Sequence, residues 1–167
     1  MSPVTRTRTL APVIALTILF LASTAVPARA DVTAFLGLSP TPQRHTVKGF
    51  AGGLSLVVVG FEFEFSHLGE DPLDALPGLK TYSANVFVQT PVEVKGTQFY
   101  ATAGGSGYRE NLAARQESHV GINLGGGLKV RVLGPVRLRL DYRVFQLRGE
   151  PLNSTYQRFY AGANIAF

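Results

Sequence analysis

Hydrophobic and polar positions alternate along several segments of the chain with a period of two residues. In segment 136–144 the even positions are apolar or aromatic, and the odd positions are Arg137, Arg139, Asp141 and Arg143. A helix would spread these charges around its circumference, whereas a strand places them all on one face. Segments 60–66 and 119–132 alternate in the same way. The pattern therefore predicts three amphipathic strands.

Weaker alternation and turn residues extend this prediction to eight strands. They are Val32–Leu38, Gly49–Val58, Gly60–His67, Thr81–Gln89, Thr97–Gly105, His119–Val132, Val136–Leu147 and Gln157–Phe167. The connections 59–60, 90–94 and 133–135 are short, while 39–48, 68–80, 106–118 and 148–156 are longer. Short turns at one end and longer loops at the other are typical of an outer-membrane β-barrel. We therefore predict an all-β fold, an eight-stranded antiparallel up-and-down transmembrane β-barrel.

The first thirty residues have a different pattern, which predicts a cleaved signal peptide. Arg6 and Arg8 precede an apolar stretch at 10–22, and an A-x-A cleavage pattern follows at Ala28 and Ala30. An apolar run of about 13 residues is too short to cross a hydrocarbon core of about 30 Å as a helix. We expect residues 1–30 to be removed after export and residues 31–167 to form one barrel domain.

Composition narrows the possible functions. Without the three arginines of the signal, the remaining chain has 13 Lys+Arg against 11 Asp+Glu, and these are not clustered as nucleic-acid binding requires. The chain has no cysteine, and its three histidines are dispersed. This excludes disulfides and gives no metal-ligand spacing. We expect no nucleic-acid partner, no metal and no cofactor.

The end of the chain bears on which face of the barrel meets lipid, because alternation alone fits both a membrane barrel and a soluble carrier with its faces reversed. Counting back from Phe167, the residues Ile165 and Phe159 share its face in the last strand. A strand that ends on Phe resembles the C-terminal signal of outer-membrane barrels. That resemblance implies recognition of Phe159, Ile165 and Phe167 by the barrel-assembly machinery, and an outer face in contact with outer-membrane lipid.

The last third of the chain carries the clearest family resemblance. It contains a glycine-rich strand at 125–130, a Gly134-Pro135 turn, the strand from Val136 to Arg143 and the strand ending at Phe167. In this order these features resemble the small eight-stranded OmpA/OmpX-type barrels, which are outer-membrane β-barrel domain proteins. The resemblance implies the fold and a location in the cell outer membrane, and it implies little about activity.

The inward face of the predicted barrel is rich in charge. An eight-stranded barrel is just wide enough to be filled by its own side chains, and buried charges persist only when they are paired. We therefore predict a lumen charge network. Its predicted members are Glu62, Glu64, Lys129, Arg131, Arg137, Arg139, Asp141, Arg143 and Arg158. The alternative is a narrow or gated pore, in which surplus arginines would favour anions.

Catalysis by the histidines is not expected. The lipid A deacylase barrels use a His-x-Ser arrangement with a carboxylate, in which histidine activates serine. Here His67 follows Ser66 and His119 follows Ser118, so the order is reversed. Adjacent residues of a strand point to opposite faces. His45 has no obvious partner, and we predict that the protein is not an enzyme.

These observations leave three functional hypotheses. The first is a monomeric structural or surface-interaction barrel with a filled lumen, whose loops 68–80 and 106–118 contact a surface or host partner. The second is the narrow or gated pore for a small solute or ion. The third is a soluble periplasmic barrel that binds a hydrophobic ligand.

Overall fold

The computed structural model describes residues 28–41, 44–70, 78–112, 115–151 and 153–167. The strands are β1 (Arg29–Thr41), β2 (His45–Ser55), β3 (Val59–Leu68), β4 (Gly78–Gln89), β5 (Thr97–Leu112), β6 (Arg115–Leu133), β7 (Val136–Leu147) and β8 (Thr155–Ala166). Each strand pairs antiparallel with the next, and β8 pairs with β1 to close the barrel. The predicted eight-stranded antiparallel barrel is confirmed. Within the described ranges, no helix has the length and apolarity needed to cross a membrane.

The strand registers determine the tilt of the barrel. The directly paired residues, followed once around the barrel from Leu128 in β6, lead back to β6 at Ser118. The return point is ten residues (128 − 118) nearer to the start of β6. A stagger of this kind requires strands tilted by about 40° from the barrel axis. With eight strands, the interior is only wide enough for side chains to fill it.

The side chains sort by polarity in the sense that suits a membrane. In β3, Phe61 and Phe63 are 59% and 71% exposed, whereas Glu62 and Glu64 between them are 3% and 4% exposed. Strand β7 alternates in the same way along its first eight residues. Apolar residues outside and polar residues inside are the arrangement of a membrane-spanning barrel. The soluble carrier needs the opposite arrangement, so that hypothesis is wrong.

The predicted end of β2 differs from the structure at the end of the barrel that carries the short turns. The apolar run at 54–59 suggested a strand as far as Val58, but β2 ends at Ser55. The backbone N–H of Leu56 donates to the carbonyl of Val59, 2.8 Å away, and closes a turn of exposed apolar residues. The other connections at this end are 90–96 and 134–135. Hydrophobicity does not distinguish a lipid-facing strand from an apolar turn at the membrane surface, and this explains the error.

The opposite end shows a larger difference, because the predicted loop 106–118 is wrong. Strand β5 runs to Leu112 and β6 starts at Arg115, so the segment is the outer part of a long hairpin. Residues 115–119 of β6 pair with β5 but have no partner in β7. The predicted loop 39–48 is likewise mostly strand, and residues 71–77 of loop 68–80 lie outside the described residues. Glycine and polar residues weaken the alternation of apolar and polar positions in 106–118, so the sequence did not show that this part of β5 pairs with β4.

The start of the barrel lies next to the predicted cleavage site. Residues 1–27 of the predicted signal peptide lie outside the described residues, and Ala28 precedes β1. The first two residues of β1 are Arg29 and Ala30, and Ala30 exchanges backbone hydrogen bonds of 3.0 and 2.9 Å with Phe167. Cleavage after Ala30 stays a prediction. It would leave the strand pairs from Asp31 onward in place.

Candidate functional site: the lumen and its two ends

The middle of the lumen contains a cluster of three carboxylates and two guanidinium groups. Strand β3 supplies Glu62 and Glu64, and β7, on the far side of the barrel, supplies Arg139, Asp141 and Arg143. Alternate residues of each strand point inward, so the two charged runs meet across the lumen. Each of these side chains is at most 5% exposed. The structure therefore brings five of the predicted network residues into one cluster.

Arg143 joins the three acids. Its Nη2 donates to Glu62 Oε1 at 2.6 Å, and its Nε donates to Asp141 Oδ1 at 3.1 Å. Its Nη1 lies 2.9 Å from Glu64 Oε2, which also accepts a 2.9 Å hydrogen bond from the Tyr160 hydroxyl. The planar guanidinium suits this position, because it presents five donors in a fixed plane.

Arg139 lies four residues nearer the short turn at the start of β7 and holds two of these acids, Glu62 and Asp141. It forms an ion pair with Glu62 and donates to Asp141 Oδ2 at 2.8 Å. Its Nε donates to the Tyr100 hydroxyl at 2.7 Å, and Tyr100 in turn donates to Asp141. The hydroxyl of Thr33 accepts a further bond of 3.4 Å. The network thus links residues that are far apart in sequence and rigidly fixes opposite walls of the barrel.

The end of the lumen that carries the short turns has a second ion pair. Lys129 Nζ lies 2.5 Å from Asp31 Oδ2, and both residues are buried. Lys129 also lies over the rings of Phe87 and Tyr100 at 5.4 and 5.7 Å from their centroids. Asp31, directly after the predicted cleavage site, was not among the predicted network residues. An isolated carboxylate in β1 offers no alternation of charge by which sequence could find it.

One predicted lumen residue, Arg131, lies at the rim instead, whereas Arg137 is buried on the inner face. The Arg131 side chain is 52% exposed and pairs with Glu93 at 2.8 Å, and Arg137 Nη2 lies 3.3 Å from the same carboxylate. The prediction that Arg131 lies inside the lumen is wrong, because the barrel wall ends near this position and Glu93 belongs to the β4–β5 turn. The hydrogen bond that Arg131 donates lowers the pKa of the Glu93 carboxyl below its ordinary value. The expected surplus of positive charge is thus partly balanced by Glu93 and Asp31.

Arg158 is fully buried, but hydroxyl groups hold it rather than carboxylates. It donates to Ser66 Oγ at 2.6 Å and to Thr81 Oγ1 at 2.9 Å, and it lies 4.0 Å from the centroid of the Phe145 ring. Phe145 begins an apolar layer that sequence analysis did not predict. Its fully or almost fully buried members toward the loop end are Val47, Leu68, Leu79, Tyr108, Phe145, Leu147 and Tyr156. We call this layer the apolar cap.

The lumen is therefore filled at three heights: by the Lys129–Asp31 pair, by the charge cluster and by the apolar cap. Arg143, Arg158, Leu68, Leu79 and Phe145 have no exposed surface. At the turn end a small cavity of about 120 Å³ is lined by Asp31, Gln98, Arg137 and neighbouring residues. Gly125 and Gly127 make room for this filling, because a Cβ at Gly127 would lie 2.7 Å from the Tyr100 hydroxyl.

The barrel wall separates Ser66 from His67, as strand geometry predicts. Ser66 is fully buried and points into the lumen, whereas the neighbouring His67 points outward. His119 lies 3.3 Å from Glu117 Oε2 and beside the Tyr108 ring. Within the described ranges, no three His, Asp or Glu side chains are grouped closely enough to hold a metal ion.

The predicted assembly residues lie together on the outer surface. Phe159, Ile165 and Phe167 are 51%, 48% and 73% exposed on the outward face of the last strand. This geometry places them where a partner could contact them before the barrel closes. Their recognition by the assembly machinery stays a prediction.

Comparison with solved structures identifies the fold. The N-terminal β-barrel domain of Pseudomonas aeruginosa OprF aligns with a TM-score of 0.66 at 13% identity, over 83% of this chain and 97% of that one. Neisserial surface protein A aligns with a TM-score of 0.65 at 15% identity, over 84% and 96%. Ail, the attachment invasion locus protein of Yersinia pestis, aligns with a TM-score of 0.55 at 13% identity, over 84% and 98%.

The fold and the lipid-suited outer surface define the class: a transmembrane β-barrel of the small eight-stranded outer-membrane type. The predicted resemblance is confirmed at this level. The outer membrane enzyme PagL also shares the fold, with a TM-score of 0.51 at 10% identity over 81% of this chain and 98% of that one. The fold is therefore found in both enzymes and other barrels. No family model and no curated protein sequence matches the chain.

Proposed function

We propose that the protein is a non-catalytic outer-membrane barrel that displays an interaction surface and passes no solute. The observation that carries the proposal is the lumen filled at three heights. Buried ion pairs on opposite walls resist separation, because removing one partner strands a charge at low dielectric. An anion path would need this cluster and the apolar cap to open together.

Conductance in planar bilayers tests the closed lumen. Refolded protein whose folding is verified by heat-shifted gel migration should show no steady channels. A variant with Leu68→Ser and Leu79→Ser, which weakens only the apolar cap, should still be silent because the charge cluster is intact. Steady open channels from the wild-type protein would contradict the proposal and favour the gated pore.

The β5–β6 hairpin supports the interaction surface. Its strands have 16 and 19 residues, whereas a tilted strand crosses a bilayer with about 9–11 residues. Among the described residues, the β6 backbone at 115–119 has no β7 partner, so this edge is open to pairing with another chain. Among the similar structures, Ail is named an attachment invasion locus protein.

A shortened hairpin tests this surface. Residues 111–116 would be replaced by an Asn-Gly turn, which suits a two-residue hairpin and retains the Glu110↔Glu117 pair. Binding of the expressing cells to host cells should fall. The matched control changes the turn at the other end, G134N with P135G, and should leave binding unchanged. Equal binding by both variants would refute the role of the hairpin.

We also propose that residues 1–30 are removed during export and that Phe159, Ile165 and Phe167 direct assembly. The A-x-A pattern at Ala28 and Ala30 supports the removal of residues 1–30. The alternation of the last strand and the outward position of the three assembly residues support their role in assembly. The intact mass of protein from the outer-membrane fraction should correspond to a chain that starts at Asp31. A mass that includes residues 1–30 would contradict cleavage.

A further inference from the structure

Four basic residues form a continuous row on the outer wall of the barrel. The register pairs Lys48 of β2 with His67 of β3, His67 with Lys80 of β4, and Lys80 with Arg109 of β5. All four side chains point outward, since the residues that flank each of them in the strand include buried ones. Neighbours in such a row are about 5 Å apart across the sheet. We call Lys48, His67, Lys80 and Arg109 the basic row.

The basic row lies at the loop end of the barrel. Each member is within three residues of the end of its strand that is remote from the short turns. Because the strands are tilted, each member of the row lies about 3 Å farther from the short turns, along the barrel axis, than the member before it. Arg109 therefore lies about 9 Å farther out than Lys48. Short turns of outer-membrane barrels face the periplasm. The row is therefore at the level of the outer-leaflet headgroups.

Below the basic row, the outer wall of the same strands is free of charge. The next outward positions are Phe50, Phe65, Tyr82 and Gly107, which are again paired in register. The rings of Phe50 and Phe65 lie 5.4 Å apart, and those of Phe65 and Tyr82 lie 5.0 Å apart. We call these three rings the aromatic ridge. Toward the turns, the outward residues of β2–β5 are apolar or glycine as far as Thr97 at the start of β5.

The aromatic ridge borders two grooves. The first reaches the basic row, and the second begins one outward position below it, at Gly107. The first groove, of about 890 Å³, is lined by Lys48, His67 and Lys80 together with small residues of β1 and β8 such as Ala34 and Ala163. The second groove, of about 860 Å³, lies between the ridge and Val120, with Gly105 and Gly107 as its floor. Both are open to the surroundings of the barrel and lined mainly by apolar atoms.

We propose that this wall binds a phosphorylated, multiply acylated lipid of the outer leaflet, with its phosphates on the basic row and acyl chains in the two grooves. Charge complementarity selects the occupant. A zwitterionic lipid would gain little from the charges of Lys48, Lys80 and Arg109, and a single-chain amphiphile would leave one groove empty. Lysine and arginine near a membrane surface attract anionic headgroups, and each contributes separately. Their long side chains reach the headgroup level while the stems stay in the apolar layer.

The wall holds the lipid in a defined orientation. The phosphates sit over β2–β5 on one side of the barrel, because the same register on β1, β8 and β7 continues with Leu36, Ala161 and Leu140. Among the described residues, the ion pairs involve neither Lys48 nor Lys80 nor Arg109. The inference rests on the proposed outer-membrane placement.

Native mass spectrometry of the folded full-length barrel in detergent tests the inference, with bisphosphorylated hexa-acyl lipid A as the probe. The double variant K80Q with R109Q should weaken retention of the probe by about tenfold or more. The matched control, K95Q with R131Q, removes the same charge at the opposite end and should retain the probe as the wild type does. Equal retention by the two double variants would overturn the proposal.

Two further measurements separate the parts of the proposal. Gly105→Phe places a ring in the second groove, at a position where no atom lies within 4 Å of an added Cβ, and should weaken retention although no charge changes. Wild-type protein should prefer the bisphosphorylated probe over monophosphorylated lipid A and over phosphatidylglycerol. Equal retention of all three would overturn the proposal even if the variants failed to fold. Heat-shifted migration and fractionation with the outer membrane, measured on the same samples, report separately whether the proposed placement holds.

Discussion

Exchange of Arg143 for methionine measures the cost of opening the lumen cluster. Methionine retains most of the volume of the arginine stem but removes the guanidinium that contacts Glu62, Glu64 and Asp141. Arg139 still pairs with Glu62 and Asp141 in the variant. Glu64 keeps only the 2.9 Å hydrogen bond from Tyr160. The variant therefore strands one buried carboxylate.

The magnitude follows from that single stranded charge. Breaking a buried ion pair by removing one partner costs about 3–5 kcal/mol. We expect Arg143→Met to lower the free energy of unfolding by that amount in urea titrations of lipid-refolded protein, followed by heat-shifted migration. Adding Glu64→Gln removes the stranded charge and should recover about half of the loss. The single Glu64→Gln variant completes the cycle and isolates the coupling between the two residues.

The matched control is Arg131→Met, because Arg131 is an exposed rim residue with one carboxylate partner. We expect Arg131→Met to lower the free energy of unfolding far less than Arg143→Met does. If Arg143→Met also unfolds like the wild type, the reasoning about a stranded carboxylate is wrong. A double variant no more stable than Arg143→Met would show that the loss comes from altered packing rather than from charge.

Three further predictions concern the turn end, the crowded interior and assembly. The folded pKa of Glu93 is lowered, so its ion pairs should stabilise the barrel above its ordinary pKa of 4.5, and this contribution should disappear as the pH falls below that value. Unfolding curves at pH 7 and pH 3 should therefore differ by at most about 1 kcal/mol because of this site. Glu93→Gln should abolish that difference. Gly127→Ala should cost about 1–3 kcal/mol, because the new methyl would lie 2.1 Å from the Leu140 carbonyl and displace Tyr100, whereas Gly105→Ala should be neutral in the same urea titration. Phe167→Asp should reduce the amount of heat-modifiable barrel in the outer membrane while Ala166→Ser does not, and equal amounts of both variants would contradict an assembly role for Phe167.

The inner and outer faces of the barrel wall carry different groups of residues. Inside, the charge cluster and the apolar cap fill the lumen between opposite walls. Outside, the same strands present aromatic, small and basic residues at defined heights. A strand whose alternate residues face lumen and lipid serves both purposes at once, because substitutions on one face leave the other unchanged.

Sequence by itself determined the strands and their two faces. The period of two is a local property, and in β7 it is reinforced by a charge at every second position from Arg137 to Arg143. For that reason the predicted eight strands match the observed ones, with errors only at their ends. It also placed Glu62, Glu64, Arg139, Asp141 and Arg143 on the inner face. The 106–118 hairpin was missed because glycine and polar residues there weaken the hydrophobic signal.

Only the tertiary structure decided which groups meet. The partners Glu62 and Arg143 are 81 residues apart, and a shift of the register by one residue would turn either to the other face. The stagger of ten residues around the barrel determines three further features: the pairing of Lys129 with Asp31, the position of Arg131 at the rim, and the apolar cap. The basic row has the same origin. Its four members are scattered between positions 48 and 109, and they become neighbours only because hydrogen bonding across tilted strands sets distant residues side by side.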